Sequence, residues 1–101
     1  MKFILIARIP LETFNAAVRD GNAGEKTDRI LQETKPEAVY FTEMDGLRTV
    51  VMAVEIKDAS QIPFFAEPWF LNFGCRVEFH PAMTQEDLRN AGLDNLGKHW
   101  G

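Results

Sequence analysis

The sequence predicts an α+β fold in which helices cover one face of a four-stranded β-sheet. Three observations support this prediction. Strand-like and helical segments follow one another in the order strand, helix, strand, strand, helix, strand, helix. The dipeptide Asp45-Gly46 is a strong signal for a tight hairpin between the second and third strands. The predicted strands carry apolar residues on a shared face, which requires a helical cover.

Length and composition predict one domain covering residues 1–101. Of these residues, 46% are hydrophobic and 26% charged, which is typical of a folded globular protein. The net charge of -4 and the lack of a basic cluster disfavour nucleic-acid binding. No apolar stretch is long enough for a membrane helix, and the apolar start is too short for a signal peptide, so we expect a cytoplasmic protein.

Cysteine and histidine patterns predict neither a disulfide nor a bound metal. The chain has a single cysteine and neither a CxxC nor an HExxH motif. Phosphate-binding glycine motifs are also absent. We therefore expect no cofactor and no metal.

The first strand is predicted over residues 2–9, which are apolar on both faces, as in a central strand. Pro10 ends it and can occupy the first turn of a helix. Helical spacing continues from Leu11 until the stretch DGNAG (20–24) interrupts it. A second helical segment then runs to Lys35, which precedes a proline and therefore avoids helical geometry.

Residues 37–57 are predicted to form a hairpin around Asp45-Gly46. The two-residue loop fixes the register. It places four pairs opposite each other: Met44 and Leu47, Glu43 and Arg48, Thr42 and Thr49, and Phe41 and Val50. The opposite-charge pair and the threonine pair support this register.

Asp58 is predicted to cap the next helix, with Gln61 completing a variant of the capping box. The buried stripe of this helix is predicted to contain Ile62, Phe65, Ala66 and Trp69. Pro68 should kink or end the helix because proline lacks the backbone donor. The last strand is predicted over residues 74–81.

Thr84 begins a final short helix that Gly92 is expected to stop. The complete order corresponds to the ferredoxin-like βαββαβ arrangement with an added C-terminal helix. In this arrangement we expect the first and third strands to be central and parallel, with both crossover helices on one side of the sheet.

Alternation along the strands predicts which residues form the core. The face toward the helices is predicted to hold Phe3, Leu5, Val50, Met52, Val54, Cys75, Val77 and Phe79. The centre of the opposite face holds Ile4, Ile6, Val51 and Ala53, which no segment of the chain is predicted to cover. An exposed apolar sheet face usually marks an interaction site, so we expect these four residues to form a homodimer interface.

The chain resembles the dimeric α/β-barrel superfamily over nearly its whole length. The resemblance is carried by the hairpin MDG, the segment VVMAVEIKDASQI, the helix end FAEPW, the strand CRVEFHPAM and the acidic QEDL. This superfamily includes stress-responsive barrel proteins, antibiotic-biosynthesis-type monooxygenases and muconolactone isomerase. Within it the sequence most resembles a small, uncharacterised bacterial family. The resemblance implies a homodimer with the chain itself as partner, but no particular chemistry.

Haem-degrading members of the superfamily use an asparagine on the first strand together with a tryptophan and a histidine. The first strand here contains no asparagine. The resemblance therefore gives no support to a haem-degrading activity.

Polar residues around the apolar centre of the second sheet face are the candidate site. They are Arg8, Tyr40, Glu55, Arg76, Glu78 and His80. Antiparallel pairing of the first and fourth strands would bring Arg8 near Arg76. Parallel pairing of the first and third strands would bring Glu55 near Arg8. Convergent polar groups over an apolar floor are typical of a small-molecule pocket, and a histidine beside a carboxylate is a possible general base. The simpler interpretation is that Arg8 and Glu55, and Arg76 and Glu78, form ion pairs that line a subunit interface.

The cysteine and the aromatic cluster have structural explanations. Cys75 alternates with polar residues onto the core face, which favours a buried, inert thiol. The predicted third helix and its end carry an aromatic cluster, which comprises Phe64, Phe65, Trp69, Phe70 and Phe73. Such a cluster more often anchors a core or an interface than lines a ligand pocket. His99 and Trp100 lie in a terminal tail, where fraying or packing against a partner is expected.

Three functions remain open from the sequence. The first is small-molecule binding or sensing in a cleft on the non-helical sheet face of a homodimeric barrel. The second is a cofactor-independent monooxygenase or an isomerase acting on a small aromatic or anionic substrate. The third is a purely structural oligomer.

Overall fold

Four strands and five α-helices follow one another along the chain, which a computed structural model describes over residues 1–101. Their order matches the prediction, with one further helix at the C terminus. A single 3-10 turn, Ala59–Gln61, precedes α3. The elements are β1 (Lys2–Arg8), α1 (Leu11–Asp20), α2 (Ala23–Thr34), β2 (Ala38–Met44), β3 (Leu47–Glu55), α3 (Ile62–Phe73), β4 (Arg76–Pro81), α4 (Gln85–Asn90) and α5 (Leu93–Trp100).

The four strands form one sheet in the order β2-β3-β1-β4, and every neighbouring pair is antiparallel. The fold is therefore α+β and compatible with a ferredoxin-like arrangement. The prediction that the two central strands are parallel is wrong. Because α1 and α2 carry the chain back across the sheet, β2 runs in the direction of β1, and the hairpin then reverses β3.

The hairpin register is confirmed at all four predicted pairs. Asp45 and Gly46 form the turn with φ angles of 56° and 76°, which suits a mirror-image turn whose twist matches that of the strands. The backbone N–H of Gly46 donates to the Glu43 carboxylate at 2.9 Å. The Glu43 carboxylate, which the register places opposite Arg48, is therefore hydrogen-bonded to the turn.

The core lies between one face of the sheet and the helices α1, α2 and α3. The strand residues predicted to face the helices all belong to this cluster or pack against it. The helices contribute Ala17, Ile30, Phe65, Trp69 and Phe73, of which Trp69 and Phe73 are each only 1% exposed. Removing side chains of this size from water supplies about 1.5 to 3 kcal/mol each, so this layer fixes the sheet against the helices.

The predicted cap is confirmed, although it caps the 3-10 turn that leads into α3, and the helix does not end at Pro68. Asp58 and Gln61 form the capping box as expected. Pro68 was expected to kink or end the helix, yet α3 continues for five residues beyond it, to Phe73. The buried side chains Phe65 and Trp69 lie on either side of Pro68 and hold both halves of the helix against the sheet.

The C-terminal segment projects from the domain. Thr84 caps α4 as predicted, but the sequence did not predict α5, because Gly92 and Gly97 obscure its helical periodicity. Neither α4 nor α5 buries a residue. The Cα radius of gyration is 16.9 Å, whereas a compact domain of this length has about 13 Å, so the chain is elongated. No helix has the length and apolar character needed to cross a bilayer.

Candidate functional site

The candidate site lies on the sheet face that points away from the helices, called here the open face. Strand pairing arranges its central residues in rows, with Ile6 between Val51 and Glu78, and Ile4 between Ala53 and His80. The four residues predicted as the interface, Ile4, Ile6, Val51 and Ala53, are all only partly buried. The open face therefore has an apolar floor that the chain leaves incompletely covered, as the sequence indicated.

Four of the six predicted site residues come together along β1 and β4. Arg8 is directly opposite Arg76, as predicted. Glu78 and His80 follow on β4 at alternate positions, so their side chains share the open face with Arg76. His80 Nε2 is hydrogen-bonded to Glu78 Oε1 at 3.0 Å.

The guanidinium of Arg8 is already paired within the chain. It forms ion pairs with the carboxylates of Glu78 and Asp45, the latter at 3.4 Å from Arg8 Nε. Its Nη2 also approaches the Met44 sulfur at 3.7 Å. The Arg8 side chain is 20% exposed, and two carboxylates balance its charge in this partly desolvated position. Arg8 therefore acts as the centre of an ion-pair network.

Arg76 has no such partner. No carboxylate lies within 4.0 Å of its guanidinium, and the sequence alternative of an Arg76–Glu78 ion pair is wrong because Glu78 turns to Arg8 and His80 instead. Arg76 is exposed at the start of β4, beside the apolar floor. It is the one candidate cation on this face whose charge is left unbalanced.

Glu55 does not join the site. In antiparallel pairing it lies opposite Lys2, while Arg8 lies opposite Thr49. Six residues of strand, or about 20 Å, therefore separate Glu55 from Arg8 along the sheet. The expected proximity depended on parallel pairing and is wrong.

Glu55 forms an ion pair with the N-terminal amine of Met1, and the hydrogen bond from this amine lowers the pKa of the Glu55 carboxyl. Lys2 forms a second pair with Glu37, whose hydrogen bond raises the pKa of the Lys2 amine. These two pairs close the end of the open face that is remote from Arg76.

Tyr40 lies on the open face but at its far edge. It occupies the row of Val51, Ile6 and Glu78, on the edge strand β2. Three strand spacings of about 4.8 Å place it about 14 Å from Glu78. Its side chain is 70% exposed. Tyr40 and His80 therefore border the floor from opposite sides and do not contact each other.

The thiol of Cys75 is buried on the core face, as the alternation of β4 predicted. Burial raises the pKa of the Cys75 thiol to about 12. The aromatic cluster is partly buried and partly exposed. Phe65, Trp69 and Phe73 are buried, whereas Phe64 and Phe70 are 54% and 43% exposed. These residues form core and surface, and none of them lies on the open face.

Besides a groove of about 610 Å³ along α4 and α5, two cavities lie elsewhere in the fold. One of about 640 Å³ lies between the outer sides of α2 and α3, beside Phe64 and Leu71. The other, of about 340 Å³, lies beside the hairpin on the helical side of the sheet and includes Phe14, Phe41 and Arg48. Sequence reasoning did not identify either cavity, because each is a gap between elements that are distant in the chain.

Comparison with known proteins gives no relative from which a role can be transferred. No family model matches the chain, and no curated protein matches it. The resemblance to the dimeric α/β-barrel superfamily therefore stays a prediction from the sequence motifs.

Proposed function

We propose that two copies of this ferredoxin-like chain pair through their open faces, as in a dimeric α/β barrel, and bind a small anionic molecule in the cleft between them. The observation that carries the proposal is the combination of an apolar floor with the unpaired guanidinium of Arg76. Pockets for small molecules have this composition, with mostly apolar walls and a few polar groups that orient the ligand.

Support for the dimer comes from the partly buried floor. Each large aliphatic side chain left in water forfeits part of the roughly 1.5 to 3 kcal/mol that full burial supplies. A second copy of the same face presents a matching apolar surface, and a two-fold axis makes such contacts self-complementary. None of the three largest cavities of the single chain is lined by the apolar floor, so a second copy would also supply the missing wall of the cleft.

Support for an anionic ligand comes from the charges beside the floor. Glu78 and Asp45 already compensate Arg8, which leaves Arg76 as the group that attracts a negative charge. A guanidinium binds carboxylate and phosphate oxygens through two parallel N–H groups. His80, held at 3.0 Å by Glu78, lies at the alternate position beyond Glu78 and orients the remainder of the ligand.

A purely structural oligomer is the second candidate, and the Arg8 network favours it. Arg8 forms ion pairs with Glu78 and Asp45, and His80 is hydrogen-bonded to Glu78, without any ligand. In this alternative the open faces meet and Arg76 pairs with a carboxylate of the other copy. Replacing Arg76 would then weaken the dimer, and no anion would bind at the open face.

The test is the substitution Arg76→Ala, measured with inorganic phosphate and benzoate as probes. We expect the affinity of the open-face site for an anion to fall about tenfold or more, because a hydrogen bond to a charged group contributes about 1.5 to 3 kcal/mol. Light scattering should show the same dimer in both proteins. Arg19→Ala, a change at an exposed cation on α1, is the matched control and should leave binding unchanged.

Two results would separate the candidates. Loss of the dimer in Arg76→Ala, with neither probe bound at the open face by the natural protein, would establish the structural oligomer. If binding is found, a turnover screen with small aromatic and quinone substrates distinguishes a binding protein from an enzyme that uses His80 as a base.

A further inference from the structure

A half-open cavity of about 340 Å³ lies on the helical side of the sheet, beside the hairpin and the helices α1 and α2. Its walls include Ile9, Phe14, Thr27, Phe41 and Val50. Three of these, Ile9, Thr27 and Val50, are buried. The cavity therefore reaches from the surface to the core, and its walls are mainly apolar.

The cavity exists because the helical layer does not extend over the edge strand. Phe41 and Val50 are directly opposite each other and share the face that the helices cover. Val50 is completely buried, whereas Phe41 is 61% exposed. An aromatic ring that faces the helical side of the sheet is thus left without a covering side chain, next to an empty volume.

Arg48 supplies a cation to this cavity. Its predicted partner Glu43 is opposite in the hairpin, but the Glu43 carboxylate accepts the Gly46 N–H instead. The Arg48 guanidinium carbon lies 4.8 Å from the centre of the Phe14 ring, and Nη1 donates to Asn15 Oδ1 at 2.8 Å. No carboxylate lies within 4.0 Å of the Arg48 guanidinium, which makes no second hydrogen bond to the protein. Neutral groups therefore hold the guanidinium in place but do not balance its charge.

We propose that this cavity binds a small organic carboxylate with an apolar body. The apolar body occupies the space between Phe14, Phe41 and Val50, and the carboxylate pairs with the N–H groups of Arg48 that point away from Asn15. At about 30 Å³ for each water-sized group, the volume suits a ligand of about ten non-hydrogen atoms. The site is separate from the open face, because the sheet itself lies between Arg48 and Arg76.

The charge requirement is tested by NMR titration of the full chain with benzoate and with benzyl alcohol, a neutral molecule of the same shape. Benzoate should shift the amide signals of Phe14, Thr27, Phe41 and Val50 saturably. Arg48→Met keeps an unbranched apolar side chain but removes the charge, and it should weaken benzoate binding at least tenfold. Benzyl alcohol should bind natural protein and variant with equal, lower affinity.

The cavity itself is tested by Thr27→Leu, which places a larger side chain in the wall. Circular dichroism should show the natural fold, and benzoate binding at these amides should be lost. Arg76→Ala should leave it unchanged, which separates this site from the open face. Equal benzoate affinity in Arg48→Met, or no saturable shift at these amides with either benzoate or hexanoate, would overturn the proposal.

Discussion

Two neighbouring residues at the start of β4 lie in opposite environments. Cys75 immediately precedes the strand and is buried against the helices, and Arg76 is exposed on the open face. Burial of the thiol disfavours its ionised form and raises its pKa to about 12. Because the thiolate is the reactive form of cysteine, the structure assigns Cys75 a packing role.

We expect Cys75 to be unreactive toward a disulfide reagent such as dithionitrobenzoate at pH 8 in the native protein and to react fully in urea. The raised pKa also means that the folded state retains the proton above pH 9, where the unfolded thiol releases it. The contribution to stability is therefore complete below pH 9 and is lost as the pH rises toward 12. Rapid labelling of the folded protein at pH 8 would show that the thiol is accessible.

At the scale of an element, two glycines have different backbone conformations, one in the hairpin turn and one in α2. Gly46 has a φ of +76°, in the left-handed region that other residues adopt at a cost of about 1 to 2 kcal/mol. Gly24 is the second residue of α2, and glycine in a helix is less favourable than alanine by up to about 1 kcal/mol. An added Cβ would meet no atom within 4 Å at either position, so only the backbone distinguishes them.

We predict opposite effects for the same substitution at these two glycines. Gly46→Ala should lower the free energy of unfolding by about 1 kcal/mol, because alanine is strained at positive φ. Gly24→Ala should raise it by up to about 1 kcal/mol, because alanine favours the helix. Urea denaturation of both variants measures this difference, and a stabilising Gly46→Ala would contradict the turn geometry described here.

Two of the incompletely covered apolar surfaces matter at the scale of the whole molecule. One is the floor of the open face, and the other is the projecting C-terminal segment, in which Leu93 and Trp100 are 56% and 80% exposed. The longest dimension of the chain is 59 Å, about twice the next of 28 Å. Helices as short as α4 and α5 are marginal in isolation, and neither buries a residue, so the single chain does little to stabilise this segment.

We expect the natural protein to be a dimer at micromolar concentration and Ile6→Asp to dissociate it. The substitution places an unpaired carboxylate in the proposed interface at a cost of several kcal/mol. Val18→Asp, on the exposed side of α1, is the control and should leave the dimer intact. Static light scattering gives the mass of each protein. A monomeric natural protein would refute the open-face dimer.

The sequence was sufficient wherever local periodicity or a turn decides the outcome. Alternation along β4 placed Cys75 inside and Arg76 outside, and the two-residue turn fixed the opposition of Glu43 and Arg48. Side-chain direction in a strand repeats every two residues, so a short stretch of sequence determines it. The core-facing residues of β1, β3 and β4 followed from this rule.

Only the tertiary structure decided the direction of β1 relative to β3 and the partners that each charge finds. Glu55 lies far from Arg8 because strand direction depends on the path of the chain through α1 and α2, which no local pattern records. Arg48 turns to Phe14 and Asn15, and a cavity opens beside it, because α1 packs against one part of the sheet and leaves another uncovered. These outcomes depend on contacts between distant segments, and such contacts form only when the whole chain is folded.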